Sequence, residues 1–66
     1  MNVILNGKQR EIPERITVQG LLESLDLHPR RVAVELNRSI VKRAQFSETQ
    51  LHPDDTIEIL QFVGGG

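Results

Sequence analysis

The 66-residue sequence contains no cysteine, no tryptophan and no tyrosine, and only two phenylalanines. The absence of cysteine excludes disulfides, iron–sulfur clusters, cysteine-ligated zinc and a thiol nucleophile. A chain of this length buries only about 60% of the surface that its unfolded form exposes, so it forms one domain with little apolar surface left to line a deep pocket. Its apolar fraction of 38% is typical of a folded domain that depends on packing alone.

The chain also lacks a strong net charge and a long apolar segment. Its formal net charge is −1, which argues against a general nucleic-acid binder. No apolar run is long enough to span a bilayer, and the start of the chain turns polar within the first six residues, unlike a signal peptide. We therefore expect a cytoplasmic protein that binds neither nucleic acid nor membrane.

The charges that are present are unevenly distributed. Residues 28–43 contain five cationic side chains and Glu35 alone, whereas residues 44–66 contain four acidic side chains and no cationic one. Such an asymmetry either orients a partner electrostatically or reflects two solvated faces.

The first half of the chain predicts a β-hairpin followed by a helix. Asn6-Gly7 is a strong hairpin signal, because both residues tolerate positive φ. The polar return segment, residues 9–12, is typical of an edge strand. Thr17 is the predicted N-cap of the helix, and Pro29 is predicted to end it. The apolar stripe expected to face the core consists of Val18, Leu21, Leu22 and Leu25.

The second half predicts three more strands. Residues 32–36 are β-branched and alternating, which indicates a central strand, and Ile40-Val41 begins a short further one. Phe46 and Leu51 are expected to seal one edge of the core. Pro53-Asp54-Asp55 predicts a type I turn before the last strand. The order β-β-α-β-β-β predicts an α+β fold, with one main helix packed on one face of a mixed sheet.

The last strand, predicted over residues 56–63, has an unusual pattern. Its inward positions are Ile57 and Ile59. By the same alternation Leu60 and Phe62 face solvent. Two large apolar side chains on the outside of a small domain suggest a docking surface, unless a twist or bulge buries one of them.

The sequence ends in Gly64-Gly65-Gly66. Three glycines in a row have no side chains and form a mobile thread that fits a narrow channel in another protein. The carboxylate of Gly66 would then be the reacting group. A carboxylate is a poor electrophile at neutral pH, so it first needs a leaving group such as a nucleotide phosphate. The chain has no phosphate-binding glycine motif, so another protein must supply that step. Terminal fraying, a cloning remnant and a linker fragment are the alternatives.

These features together resemble a known family. The strand order that leads into Gly-Gly is similar to the ubiquitin-like β-grasp fold, and within it the chain resembles the ThiS family of sulfur carriers in thiamin biosynthesis. The resemblance covers the whole chain and rests on Leu5-Asn6-Gly7, Thr17-Val18, Leu21-Leu22, Val34-Glu35-Leu36-Asn37, Ile40-Val41, Arg43, residues 55–60 and residues 62–66. It implies a β-grasp domain over residues 1–63 and a flexible C-terminal glycine tail over residues 64–66.

The resemblance also implies a function. In the family an E1-like adenylyltransferase uses ATP and magnesium to adenylate the terminal glycine, here Gly66. Sulfur from a cysteine desulfurase or another source replaces the AMP and gives a thiocarboxylate, from which thiazole synthase takes the sulfur. The chain would therefore be a protein co-substrate rather than an enzyme, monomeric when free and without a cofactor of its own. Leu60, Phe62, Val63, Gly64 and Gly65 would contact the partners.

Two other hypotheses stay open at this point. A carrier of the same chemistry can serve molybdopterin synthesis or tRNA thiolation, or it can act as a protein modifier. Alternatively, the domain is a plain binding module that docks through Leu60 and Phe62 while the tail is inert.

The remaining polar residues do not indicate a catalytic or metal site. His28 and His52 each precede a proline and are far apart in sequence, so we expect exposed loop residues and no metal site. The adjacent Asp54-Asp55 pair is typical of a turn rather than of an acid–base couple. Relatives often have Gly-Asp at these two positions.

Overall fold

Two tight turns set the strand boundaries of the sheet. In the computed structural model, which describes residues 1–62, Asn6 and Gly7 both have positive φ (49° and 82°). They join β1 (Asn2–Leu5) to β2 (Lys8–Glu11). Asn37 and Arg38 repeat this geometry, with φ of 50° and 72°, between β3 (Val32–Leu36) and β4 (Ser39–Val41). Two consecutive positive φ angles are the mark of a type I′ hairpin turn, so the predicted opening hairpin is confirmed.

The helix α1 (Val18–Ser24) begins where the sequence predicts. The Thr17 hydroxyl accepts a hydrogen bond from the Gly20 backbone N–H at 3.1 Å, which satisfies one of the free donors of the first turn. Val18, Leu21 and Leu22 are buried. The predicted apolar stripe therefore faces the core as expected.

The helix ends earlier than the sequence predicts. Asp26 adopts a left-handed conformation (φ 56°), and the Leu27 N–H donates to the Leu22 carbonyl at 2.9 Å. This pattern is a Schellman motif, in which one left-handed residue lets the chain turn back over the last carbonyls. The prediction that Pro29 ends the helix is wrong, because Pro29 instead begins a short 3₁₀ turn, Pro29–Arg31.

The fifth strand, β5 (Thr56–Gln61), completes a five-stranded sheet in the order β2-β1-β5-β3-β4. β5 runs parallel to β1, and the other neighbouring strands are antiparallel. The predicted mixed sheet with one main helix and the order β-β-α-β-β-β is confirmed. The central position belongs to β5, whereas β3, which the sequence places at the centre, lies between β5 and the edge strand β4.

The core is entirely apolar in the described part of the chain. No polar or charged residue among residues 1–62 is buried. Phe46 and Leu51 are 2% and 1% exposed, so their predicted place in the core is confirmed. The buried set comprises Val3, Ile12, Val18, Leu21, Leu22, Val32, Val34, Phe46, Leu51 and Ile57. The helix covers this side of the sheet, which we call the inner face.

The turn that leads into β5 differs from the predicted type. Asp54 has φ of 68°, and the Asp55 N–H donates to the His52 carbonyl at 3.2 Å. Positive φ at the third turn residue defines type II, so the predicted type I turn is wrong. The Asp55 carboxylate accepts hydrogen bonds from the His52 N–H (2.7 Å) and the Asn37 side-chain amide (3.0 Å). These acidic residues therefore serve the turn, as the sequence predicts.

Candidate functional site

The strand β5 carries the predicted docking residues and is paired on both sides. Its register with β3 runs from Leu36 opposite Ile57 to Val32 opposite Gln61. Beyond that register the Phe62 N–H still donates to the Arg31 carbonyl at 2.8 Å. Backbone pairing therefore holds β5 in place up to the last described residue.

A side chain extends this support where β1 has ended. The Asn6 side chain accepts a hydrogen bond from the Ile59 N–H at 2.7 Å and donates one to the Ile59 carbonyl at 3.2 Å. One amide group thus imitates the two backbone bonds that a neighbouring strand would make. Sequence reasoning assigned Asn6 to the turn alone. Its second role depends on a residue 53 positions away, which no local pattern indicates.

The alternation along β5 is the one that the sequence predicts. Ile57 is fully buried and Ile59 is partly buried, on the inner face. Leu60 and Phe62 are 66% and 59% exposed. No bulge interrupts the register between β5 and β3, so neither residue is turned into the core.

The opposite side of the sheet, the outer face, has a third exposed apolar residue that the sequence reasoning missed. Ile40 in β4 is 77% exposed. It lies opposite Glu35, which in turn lies opposite Glu58 of β5. The signal was available, because a two-residue turn at Asn37-Arg38 fixes the pairing of Glu35 with Ile40.

The charges around this surface are separated along the strands. Glu35 and Glu58 are direct cross-strand neighbours, and both are exposed. In residues 1–62 the N-terminus forms an ion pair with Glu11, and the His52 imidazole lies 4.0 Å from the Asp55 carboxylate. Neither contact involves these two glutamates. Cationic residues lie toward the end of β5: Arg31 just precedes β3 and Lys42 just follows β4.

The surface here is open rather than enclosed. A shallow depression is lined by Asn6, Glu35, Glu58, Ile59 and Leu60. Such a depression has the shape to receive one side chain of a partner, but it is too open to enclose a small substrate.

The histidines do not join this surface. The His28 Nδ1 accepts a hydrogen bond from the Arg30 N–H at 3.1 Å, and His52 lies 4.0 Å from Asp55 in the turn before β5. Both are exposed, as predicted. Residues 1–62 contain no group of three or more His, Asp or Glu residues that could hold a metal ion.

The predicted reactive segment continues from this strand. Val63, Gly64, Gly65 and Gly66 lie outside the described residues, so their roles stay predictions. The strand predicted to reach residue 63 ends at Gln61 in the structure. The last described residue, Phe62, lies beside Arg31 at the start of β3, beyond the point where the pairing of β5 with β1 has ended.

Comparison with known proteins identifies the family. The model of the ThiS family matches residues 3–66. The chain is 41% identical over 63 residues to the sulfur carrier protein ThiS of Bacillus subtilis, which covers 94% of this chain and 96% of that protein. It also aligns with the crystal structure of a thiamine biosynthesis protein (ThiS) from Geobacter metallireducens, with a TM-score of 0.85, 36% identity and full coverage of both chains.

A second kind of relative is much longer. The thiazole synthase of Magnetococcus marinus is 39% identical over all 66 residues, but this chain spans only 20% of its length. Another thiazole synthase, from Paramagnetospirillum magneticum, is 36% identical with the same coverage. The same domain therefore occurs both in small carriers and within longer thiazole synthases. With a family match over nearly its whole length and close agreement in fold, the chain belongs to the ThiS family.

Proposed function

We propose that this chain is a sulfur carrier of thiamin biosynthesis, a protein co-substrate whose Gly66 carboxyl group is converted to a thiocarboxylate. The observation that carries the proposal is the ThiS match over residues 3–66, which includes both the β-grasp sheet and the glycine segment. Two relatives matched over most of their length are named sulfur carrier proteins.

The first chemical step activates the carboxylate. The Gly66 carboxylate oxygen attacks the α-phosphorus of ATP, the bond to the β-phosphate breaks, and the products are an acyl-adenylate and pyrophosphate. An E1-like adenylyltransferase holds the ATP and the magnesium ion that balances the phosphate charge. This chain contributes the nucleophile and a segment narrow enough to enter the active site.

The second step exchanges oxygen for sulfur. Where a cysteine desulfurase supplies the sulfur as a persulfide, a second thiol first reduces the persulfide to hydrosulfide and is itself oxidised to a disulfide. Hydrosulfide attacks the acyl carbon of Gly66. The carbon–sulfur bond forms, AMP leaves with the electrons of the carbon–oxygen bond, and one proton is released to solvent. The resulting thiocarboxylate is the sulfur donor for thiazole synthase. Support for this last partner comes from the thiazole synthases that contain a similar domain.

The sheet supports this chemistry because it anchors the glycine segment that enters the active site of the partner. β5 is held by two neighbouring strands and by Asn6, so the segment leaves the domain from a fixed point. Residues 63–66 reach roughly 13 Å beyond that point at about 3.3 Å per residue. In this proposal Val63, Gly64 and Gly65 thread a channel of the partner, while Leu60 and Phe62 dock beside its entrance.

The proposed location and oligomeric state of the carrier follow from the same chemistry. The steps require ATP and enzymes that act in trans, so we place the carrier in the cytoplasm as a free monomer. The chain itself would bind no cofactor. No helix in residues 1–62 is long and apolar enough to cross a membrane.

The proposal is tested by intact mass measurement. The full chain is incubated with its adenylyltransferase, ATP, magnesium and a sulfide source, and we expect an acyl-adenylate followed by replacement of one oxygen with sulfur at Gly66. A chain that lacks Gly65 and Gly66 should give neither product. The control is Glu14→Ala, a change at an exposed residue that has no side-chain hydrogen bond or ion pair within residues 1–62, and this variant should still be adenylated. Adenylation of the truncated chain would overturn the proposal.

The client pathway needs a separate measurement. A strain without this chain should require thiamin, or its thiazole precursor, for growth. Growth without either compound would show that the sulfur serves another client.

A further inference from the structure

The outer face combines apolar exposure with an unfavourable pair of like charges. Ile40, at 77% exposure, lies beside Glu35 in the row that Glu35 forms with Glu58, and Leu60, at 66% exposure, lies two residues after Glu58 on the same face. Like charges directly opposite one another on neighbouring strands destabilise a sheet. This pair lowers the stability of the free domain, so a role in contact with solvent alone does not explain it.

The two carboxylates are not neutralised within the described part of the chain. Neither forms an ion pair in residues 1–62. Cationic positions lie further along the strands on both sides of this row: Arg31 precedes β3 and Lys42 follows β4, and Arg38 lies in the turn between β3 and β4. The outer face is therefore acidic in the middle of the sheet, with two cationic positions beside the end of β5 and one, Arg38, at the opposite end.

The two carboxylates lie at the shallow depression described above. Both glutamates line it, together with Leu60 and the Asn6–Ile59 pair. A guanidinium or ammonium group that enters the depression contacts two carboxylates at once, while its apolar stem contacts Leu60. Planar guanidinium groups are well suited to bind two carboxylate groups.

We propose that the outer face is the surface that docks onto thiazole synthase, and that Glu35 and Glu58 together bind one cationic side chain of that enzyme. The occupant is argued from the longer thiazole synthases that contain a similar domain, and the acidic pair defines the charge that the partner must bring. Glu35, Glu58 and Ile40 are thereby specificity-determining residues in addition to Leu60 and Phe62. The inference rests on the proposed function and names the polar part of its interface.

Polarity along β5 also sets the orientation of the complex. When Glu35 and Glu58 bind the cation of the partner, Arg31 and Lys42 lie on the same side of that contact as Phe62, where the glycine segment begins. A partner that docks in the reverse direction would place its cation against Arg31 and Lys42. Such like-charge contacts select against the wrong orientation.

The test measures binding of the full chain to thiazole synthase by calorimetry at low and at physiological salt. Glu58→Lys and Glu35→Lys should each weaken binding about tenfold or more at low salt. Neutral Glu58→Gln should weaken binding less, and it should raise the midpoint of thermal unfolding because the repulsion is removed. Opposite signs for binding and stability distinguish a docking residue from one that only supports the fold.

The matched control is Glu23→Lys, which makes the same change of charge on the exposed surface of α1. It should alter binding less than about twofold, because it is remote from the outer face. Equal weakening by Glu23→Lys and Glu58→Lys would overturn the inference, since net charge would then explain both.

Three further outcomes separate this inference from the proposed function. If the chain forms a thiocarboxylate but the glutamate variants bind thiazole synthase as the unaltered chain does, the inference fails and the carrier function stands. If these variants bind thiazole synthase normally but lose adenylation, the glutamate pair serves the adenylyltransferase and the inference is also wrong. If no adenylate or thiocarboxylate forms at all, the proposed function itself fails.

Discussion

The two faces of the sheet use similar side chains for different purposes. On the inner face Ile57 and Val34 are almost fully buried, beneath the helix. On the outer face Ile40 and Leu60 are mostly exposed, although they are equally apolar. Burial is what converts apolar surface into stability, so the inner residues stabilise the fold and the outer ones contribute little to it. The outer apolar residues are thus best explained by contact with another molecule.

The largest test of this difference compares the same substitution at a core position of the helix that covers the inner face and at a position on the outer face. Leu22→Ala removes a fully buried side chain and should lower the free energy of unfolding by about 3 kcal/mol. Leu60→Ala should change it by less than about 0.5 kcal/mol, because the side chain is already exposed. Chemical denaturation measures both values. A similar loss for the two variants would show that the outer face packs against part of the same molecule.

Asn6 tests whether the root of the glycine segment is held as the structure indicates. Asn6→Gly keeps a residue suited to positive φ but removes both hydrogen bonds to Ile59, so it should cost about 1–2 kcal/mol. Asn6→Asp retains the acceptor and should lose less. Amide hydrogen exchange at Ile59 should accelerate in Asn6→Gly. Unchanged exchange would contradict the role assigned to the side chain.

A substitution in the turn before β5 should stabilise the domain without changing either face of the sheet. Asp54 has a φ of 68°, which glycine adopts without the steric cost of a Cβ. Asp54→Gly should therefore stabilise the domain by about 0.5–1 kcal/mol, whereas Asp54→Ala should destabilise it. Thermal unfolding of the two variants checks the sign. Destabilisation by glycine would mean that the Asp54 side chain has an unrecognised contact.

The smallest expected effect concerns the like-charge pair of the outer face. Glu35→Gln removes the repulsion with Glu58 and should stabilise the free domain by roughly 0.2–1 kcal/mol. The gain should shrink at high salt, because exposed charges are screened. Denaturation at two ionic strengths measures it. A gain that does not depend on salt would have a cause other than charge.

The elements with strong local signals were predicted from the sequence. Asn6-Gly7 fixed the first hairpin, Thr17 began the helix, and the period-two alternation in β5 placed Leu60 and Phe62 outside. The family was identified correctly from motifs spread over the whole chain. Each of these signals lies within a few residues or belongs to a short motif.

The features that the sequence did not predict depend on longer-range structure or on local strain. The central place of β5 results from pairing with β1, more than 50 positions earlier, which periodicity does not encode. Asp26 and Asp54 adopt positive φ. Aspartate tolerates this conformation, but it predicts positive φ from the sequence much more weakly than glycine does. The pairing of Glu35 with both Ile40 and Glu58 becomes visible only when three strands are set in register.

The central position of β5 has a consequence for how the domain assembles. β5 is the last strand along the chain, yet it alone joins the β1–β2 hairpin to the β3–β4 hairpin. Until it is available, the chain holds two separate hairpins, each marginal by itself in water. Closing the sheet therefore requires contacts between distant parts of the chain, and such contacts slow folding. A sheet completed in this way offers the outer face only on a finished domain, so a partner that docks on this face would reject incomplete chains.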